Sequence, residues 1–209
     1  MEYFKKLILL TVSVLFVFSF HDAQSQDVSE IISAFQQSYI HEASGNFHES
    51  MEVLKNVYDE KSYELNLRLG WLAYSSGLFS ESIAFYNKAI TLMPYSIEAR
   101  FGIVYPASAL GNWNMVISHY EKILEINPNN SIVTHRLGLI YYGREEYSEA
   151  YSYFEKVVNL YPFDYDALIM FAWTNYKLNK NREAKILFQK ALMHTPGGAS
   201  AIEGLGLLK

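Results

Sequence analysis

The sequence repeats itself every 34 residues over most of its length. Apolar, aromatic and proline positions recur in register, and the clearest columns are Leu69, Ile103, Leu137 and Phe171; Tyr86, Tyr120, Phe154 and Phe188; and Pro94, Pro128, Pro162 and Pro196. A fixed period of this length is typical of repeat proteins, in which each unit buries its apolar face against its neighbours. The columns define four regular units, residues 63–96, 97–130, 131–164 and 165–198.

Each unit is predicted to hold two helices, because apolar residues in both halves recur at steps of three and four. A turn column separates the halves and contains Gly77, Gly111, Glu145 and Asn179. The proline that closes each unit stops the second helix, since it lacks an N–H and clashes with the preceding turn. The residue before each helix pair is a suitable N-cap, and these residues are Ser62, Ser96, Asn130, Asp164 and Gly198.

These features resemble the tetratricopeptide repeat family. The resemblance covers roughly residues 29–209 and rests on the period, the Leu-Gly pairs, the turn, the small and aromatic positions of the second helix and the final proline. It implies an all-α fold, a right-handed superhelical solenoid of helix-turn-helix repeats, and a role in holding a partner in the concave groove. Residues 26–209 would form this domain.

The two ends and the middle depart from the pattern. Residues 29–62 form a degenerate first repeat whose second half is displaced by two residues, which we place in the mid-repeat turn, and residues 199–209 begin a partial repeat without a polar cap. Val104 and Val116 replace small residues and predict a splayed helix pair. Pro106, in the middle of a helix, predicts a bend.

The first 25 residues have the layout of a secretory signal peptide. Lys5 and Lys6 precede an apolar run over residues 7–20, and Ala23 and Ser25 then place two small residues at a cleavage position. We predict cleavage after Ser25 and export to the periplasm or cell envelope, with secretion as an alternative; an uncleaved anchor is the other interpretation.

Composition excludes several classes of function. The chain contains no cysteine, so disulfides, thiolate metal sites and cysteine nucleophiles are impossible. Its formal net charge is −5 and it has no stripe of Lys and Arg, which argues against nucleic-acid binding because phosphate contacts need clustered basic residues.

Six tyrosines crowd residues 137–161, where they suggest either a ligand site or packing. Helical spacing directs Tyr141 and Tyr147 into the seam between helices. The same spacing places Tyr151, Tyr153 and Tyr161 against neighbouring helices or on the outer surface. Only Tyr142 is predicted to face the concave side, so most of this cluster is interpreted as packing.

The resemblance places the first helix of every repeat on the inner face. The predicted partner-binding residues of that face are Leu67, Trp71, Tyr74, Phe101, Tyr105, His135, Leu139, Tyr142, Ile169, Trp173 and Tyr176. An exposed surface this aromatic usually marks a contact site, and Tyr and Trp are common binding hot spots. The alternative is that the rings pack on one another and on the next helix.

Acidic residues line one edge of this face, namely Glu30, Glu64, Glu98 and Asp166. As a groove rim they would favour a partner with some positive charge, although acids are also common in the first turn of an exposed helix. Some members of the family grip a carboxylate with Lys, Asn and Arg on the inner face. Apolar Leu67, Trp71, Phe101 and Tyr105 occupy those places here, so this clamp is not expected.

No arrangement of residues indicates catalysis, a metal site or a cofactor. The six histidines are scattered, and His41 and His48 straddle a turn rather than standing four apart on a helix. We therefore predict a non-enzymatic scaffold that binds a protein or peptide segment in an aromatic groove. Two alternatives stay open: a groove for carbohydrate or lipid, and a structural subunit that self-associates through its uncapped C-terminal face.

Overall fold

The computed structural model describes residues 28–208, and within this range the chain is helical with no strand. The predicted signal peptide, residues 1–25, lies outside the described residues. The helices are α1 (28–43), α2 (Phe47–Lys55), α3 (Tyr63–Ser75), α4 (Phe79–Leu92), α5 (Ile97–Ala109), α6 (Trp113–Ile126), α7 (Ser131–Gly143), α8 (Tyr147–Leu160), α9 (Tyr165–Lys177), α10 (Asn181–His194) and α11 (Ala199–Leu207). The all-α class predicted from the sequence is confirmed.

N-caps start the first helices of the regular repeats. The side chains of Ser62, Ser96, Asn130 and Asp164 each accept a hydrogen bond from the backbone N–H three residues later, at 2.9–3.2 Å. Each bond satisfies one amide that the helix itself leaves without a partner. Gly198 precedes α11 in the same column and has no side chain with which to cap it.

The turn column adopts a left-handed backbone in every described repeat. Gly77 and Gly111 have φ of 78° and 70°, and the degenerate first repeat has Gly45 at 77°. Glu145 and Asn179 occupy the same column with φ of 63° and 59°. A side chain makes this conformation less favourable than it is for glycine. The helices on either side therefore hold the turn in this conformation even where the residue is not glycine.

Small residues on the first helix of a pair let the second helix approach closely. The Tyr86 ring lies against Gly70, and the Phe154 ring lies against Gly138, where a Cβ atom would be 2.7 Å from Phe154 Cε1. The Ser82 hydroxyl adds a hydrogen bond of 2.7 Å to the Gly70 carbonyl. These aromatic rings are almost completely buried and form the seam of each pair.

The degenerate first repeat corrects one expectation. The turn at residues 44–46 has the same length as the turn at 76–78, so the two displaced residues do not lie in the turn. They lengthen α1, which continues to residue 43, whereas the pattern of α3 would end it at 41. The second helix, α2, has only 9 residues, compared with 14 in α4.

The chain divides into two compact units, and the division falls between Asn112 and Trp113. Unit 1 contains α1 to α5 and unit 2 contains α6 to α11. The boundary lies in the mid-repeat turn of residues 97–130, the repeat that carries Val104 and Val116. Helix α5 continues without interruption through Pro106 to Ala109, so the proline does not break the helix.

None of the helices in residues 28–208 combines the length and the apolar character that a membrane span requires.

Candidate partner-binding site

Unit 1 contains a surface pocket of about 630 Å³ between its first helices and the Tyr86 ring of α4. Helices α1, α3 and α5 supply most of its wall, and aromatic rings dominate the lining. The lining residues are Phe35, Tyr39, Tyr63, Glu64, Leu67, Arg68, Trp71, Tyr86, Glu98, Phe101, Gly102 and Tyr105. We call this the unit 1 pocket.

Six residues predicted from the sequence come together here, and they are Glu64, Leu67, Trp71, Glu98, Phe101 and Tyr105. The i, i+4 spacing of Leu67 and Trp71 places both on one face of α3, and Phe101 and Tyr105 repeat this arrangement one unit later on α5. Trp71 and Tyr105 keep 39% and 41% of their surface exposed. A partner could therefore reach both rings.

Tyr74 was also predicted as a binding residue, but it does not line the unit 1 pocket. Its ring lies 5.6 Å from the Tyr105 ring and 5.8 Å from the Trp71 ring, measured between centroids. It also contacts Phe79 of α4 at 5.9 Å. Tyr74 is therefore a support that fixes the orientation of the two exposed rings.

The sequence analysis missed several lining residues. Tyr86 served only to define a repeat column, Arg68 was not selected as a candidate, and Phe35 and Tyr39 lay within the degenerate first repeat. One feature of the sequence could have indicated the pocket. The repeat column that holds Arg68 and Arg136 has a glycine, Gly102, in the repeat between them. A glycine where other repeats carry a long side chain indicates free space beside it.

A polar network stabilises the wall formed by α1 and α3. Arg68, only 9% exposed, forms an ion pair of 2.6 Å with Glu42 and donates to the Ser38 hydroxyl at 3.2 Å. The Trp71 indole N–H donates to the other oxygen of Glu42 at 2.5 Å, and the guanidinium lies 4.0 Å from the centre of the Tyr39 ring. Glu42 thus fixes both the buried cation and the exposed indole.

The Glu42 carboxyl has a lowered pKa as a result. Burial alone would raise its pKa, but the hydrogen bonds from Arg68 and Trp71, together with the positive charge of Arg68, outweigh burial. The carboxylate is consequently charged under ordinary conditions and neutralises the Arg68 guanidinium.

Tyr63 connects the α3 and α5 sides of the pocket. Its hydroxyl lies 2.7 Å from the Ser96 hydroxyl and donates to Glu98 Oε2 at 3.3 Å. Burial raises the pKa of Tyr63, the hydrogen bond with Ser96 opposes this, and the negative charges of Glu98 and Glu64 raise it further. Two acids therefore act on one hydroxyl at the pocket edge.

In unit 2 the structure contradicts two of the predicted binding residues. Ile169 is only 8% exposed and belongs to the hydrophobic core of the unit, so it does not line an open surface. Trp173 packs edge-on against buried Phe188 at 5.0 Å, and its indole N–H donates to the Ser200 hydroxyl at 2.7 Å. Phe188 belongs to α10 of the same repeat, and Ser200 belongs to α11, which begins the next repeat. These two contacts make Trp173 a packing residue.

The other predicted residues of unit 2 do not form one aromatic surface. Leu139 is 40% exposed, Tyr142 packs edge-on against Tyr147 at 5.3 Å, and Tyr176 packs edge-on against Trp173 at 5.7 Å. His135 and Asp166 line a second depression of about 410 Å³.

The His135 imidazole is partly buried in that second depression. Burial lowers its pKa, and the nearby Asp166 and Asp164 carboxylates oppose the change. Its Nε2 atom makes no hydrogen bond to any described residue. The lining is more polar than that of the unit 1 pocket, so the second depression lacks the aromatic character predicted for a binding groove.

The tyrosine-rich stretch of residues 137–161 is mainly packing, as predicted. Tyr141 and Tyr153 stack with centroids 5.4 Å apart and planes 6° apart, and Tyr151 packs on Phe171 at 4.9 Å. Burial, followed by the nearby Tyr141, raises the pKa of Tyr153 to about 12. Tyr161 is 50% exposed.

Within residues 28–208, no group of three or more His, Asp or Glu side chains is arranged to hold a metal ion. Each unit contains packed helix-turn-helix pairs, and unit 1 carries an aromatic surface pocket.

Comparisons with known proteins agree with this class. Two family models described as tetratricopeptide repeat match residues 63–95 and 135–164. A TPR repeat-containing protein, YpiA of Bacillus subtilis (strain 168), is 23% identical over 181 residues, which cover 85% of this chain and 43% of that protein. The chain therefore spans less than half the length of this relative. The photosystem I assembly protein Ycf3 of Prochlorococcus marinus (subsp. pastoris, strain CCMP1986 / NIES-2087 / MED4) is 27% identical over 150 residues, covering 62% of this chain and 86% of that protein.

Solved structures share the fold at low sequence identity. A tetratricopeptide repeat protein from Parabacteroides merdae ATCC 43184 superposes with a TM-score of 0.72 at 19% identity, covering 86% of this chain and 72% of that one. MamA gives a TM-score of 0.69 at 21% identity, covering 79% and 91%. YrrB, described as a TPR protein with an unusual peptide-binding site, gives 0.68 at 14% identity, covering 90% and 97%. Residues 63–95 and 135–164 therefore match tetratricopeptide repeats, and the chain shares the fold of tetratricopeptide repeat proteins.

Proposed function

We propose that this chain is a non-enzymatic scaffold that binds a segment of a partner protein in the unit 1 pocket. The observation that carries the proposal is the convergence of exposed Trp71 and Tyr105 with Phe101 on one pocket of about 630 Å³. Apolar and aromatic surface of this kind gains free energy when a partner removes it from water.

The pocket is largely preorganised for binding. The polar network of Glu42 orients the Trp71 indole, and Tyr74 packs against both Trp71 and Tyr105. Side chains that are already ordered lose little conformational entropy when a partner binds, so more of the contact energy appears as affinity. The fold supports the same class of function, since a structural neighbour, YrrB, is described as a peptide-binding tetratricopeptide repeat protein.

We further propose that the scaffold acts outside the cytoplasm. The proposal rests on the basic, apolar and small-residue order of residues 1–25. N-terminal sequencing of the protein purified from its native host should find Gln26 as the first residue. A first residue at Met1 would contradict cleavage.

A peptide selection tests the proposed function. A library of random dodecamer peptides is displayed and selected on the full chain, and the enriched peptide is then titrated by fluorescence anisotropy. We expect Trp71→Ala and Tyr105→Ala each to weaken binding at least about tenfold, because central aromatic residues dominate the binding energy of such contacts.

Trp113→Ala is the matched control. Trp113 lies in unit 2, outside the unit 1 pocket, and is 46% exposed, close to the value for Trp71. It should leave the affinity within about twofold, as expected for a residue outside the contact. Equal losses for the Trp71 and Trp113 variants would show that the unit 1 pocket is not the binding site. Competition by an oligosaccharide or a fatty acid at Trp71 would instead favour a carbohydrate or lipid ligand.

A further inference from the structure

The unit 1 pocket has two carboxylates whose negative charge no described cation compensates. Glu64 and Glu98 are exposed and form no ion pair within residues 28–208; their contacts are hydrogen bonds from the hydroxyls of Ser62 and Tyr63. Among the described residues that line the pocket, Arg68 carries a positive charge, but Glu42 already neutralises it at 2.6 Å. The pocket therefore presents a net negative charge to its ligand.

The Tyr86 side chain lines the pocket, and its hydroxyl has no partner among the described residues. Tyr86 is only 3% exposed, and its hydroxyl makes no hydrogen bond to any described residue. The ring passes between Gly70 and Gly102, and a Cβ atom on Gly102 would lie 2.5 Å from Tyr86 Cζ, the carbon that carries the hydroxyl. A ligand that supplies a donor here gains a hydrogen bond with a hydroxyl that the described residues leave unpaired.

The tyrosine one repeat after Tyr86 accepts a hydrogen bond from an arginine of this chain. Tyr120, 34 residues after Tyr86, accepts a hydrogen bond of 3.1 Å from Arg136 Nη1. Arg136 stands in the column of Gly102. The chain thus supplies a guanidinium donor to Tyr120, whereas Gly102 offers no donor to Tyr86.

The aromatic lining also suits a guanidinium. A cation near the face of Trp or Tyr is attracted by the ring, and arginine stacks on such faces more often than lysine does. The wall of the pocket already contains one example, because the Arg68 guanidinium lies 4.0 Å from the centre of the Tyr39 ring.

We propose that the unit 1 pocket binds an arginine side chain of the partner segment, whose charge Glu64 and Glu98 compensate and whose N–H group donates to the Tyr86 hydroxyl. This inference rests on the proposed function and specifies the residue that the partner must present. The remaining volume of the pocket accommodates the residues that flank this arginine.

Two small probes of nearly identical shape isolate the charge. The indole ¹H–¹⁵N signal of Trp71 is followed while n-butylguanidinium or neutral n-butylurea is added to the full chain at constant ionic strength. We expect n-butylguanidinium to shift the signal with an affinity about tenfold higher than that of n-butylurea, since two weak ion pairs and a cation–π contact add. Equal affinities would overturn the inference.

Variants identify the groups responsible. Combined Glu64→Gln and Glu98→Gln should remove most of the preference for guanidinium, and Tyr86→Phe should weaken both probes, by up to about threefold, because both carry N–H donors. Asp166→Asn is the control, because Asp166 is the acid of the same column in unit 2. A double variant that retains the full preference would overturn the role of the carboxylates, and n-butylammonium binding as tightly as n-butylguanidinium would overturn the choice of arginine.

The selected dodecamer separates this inference from the proposed function. Replacing its arginine with neutral citrulline should weaken binding about tenfold in the wild type and much less in the double glutamine variant. If a selected peptide binds at Trp71 but has no arginine, or is indifferent to citrulline, the scaffold function stands and the arginine assignment fails. If neither peptide nor n-butylguanidinium perturbs Trp71, both fail.

Discussion

Trp173→Ala should lower the free energy of unfolding by about 3 kcal/mol, whereas Trp71→Ala should lower it by only about 1 kcal/mol. The residues stand in the same repeat column, but Trp173 packs on buried Phe188 and donates to Ser200, so its removal leaves a cavity and an unfilled hydrogen bond. Trp71 is 39% exposed and loses mainly its bond to Glu42. Urea denaturation followed by circular dichroism measures both values.

Trp113→Ala provides the baseline for an exposed tryptophan and should change the free energy of unfolding by less than about 0.5 kcal/mol. Equal destabilisation by the Trp71 and Trp173 variants would show that Trp71 is a packing residue as well. The proposed function would then lose its main support. A substitution that destabilises the fold can weaken binding indirectly, so it would not identify Trp71 as a binding residue.

Glu42→Gln should lower the free energy of unfolding by about 2 kcal/mol at neutral pH. The change removes the charge that compensates Arg68, which is only 9% exposed, and breaking a buried ion pair from one side is strongly destabilising. The expected value is smaller than for a fully buried pair because 23% of Glu42 is exposed. Glu49→Gln, an exposed acid of α2 without an ion pair to any described residue, is the control and should change stability by less than about 0.5 kcal/mol.

The effect of Glu42→Gln should depend on pH in a defined direction. The pKa of Glu42 is lowered in the folded protein, so the carboxylate contributes stability above its ordinary value of 4.5 and loses it as the pH falls through the lowered value. The difference between wild type and variant should therefore shrink from about 2 kcal/mol at neutral pH as the pH falls below 4.5 and through the lowered pKa of Glu42. A difference that stays constant with pH would contradict the ionic role of Glu42.

The sequence predicts those features of the fold that depend on local chemistry. The N-caps Ser62, Ser96, Asn130 and Asp164 hold the expected bonds, and the turn column is left-handed in each repeat, because both depend on residues within one or two turns of the chain. The period then specifies which neighbouring helices meet.

The sequence predicts the binding surface less well, because exposure depends on the following repeat. Trp71 and Trp173 are equivalent in the repeat pattern, and only the packing of α10 and α11 on Trp173 distinguishes them. Tyr86 occupies the aromatic column of the second helix, yet Gly102 leaves the far end of its ring at the pocket. A column analysis of one repeat at a time cannot detect a pocket that two repeats form together.

The longer first helix of the degenerate repeat has a consequence for how the wall of the pocket is built. Two additional residues turn the end of a helix by about 200° and advance it by about 3 Å, so they present a different face there without altering the turn that follows. In α1 this half-turn extends the helix past residue 41 and includes Glu42 in its last turn, where Glu42 reaches Arg68 and Trp71. The two residues that disturb the 34-residue period therefore rotate the end of α1. They give this repeat an ionic contact that the regular register would not supply.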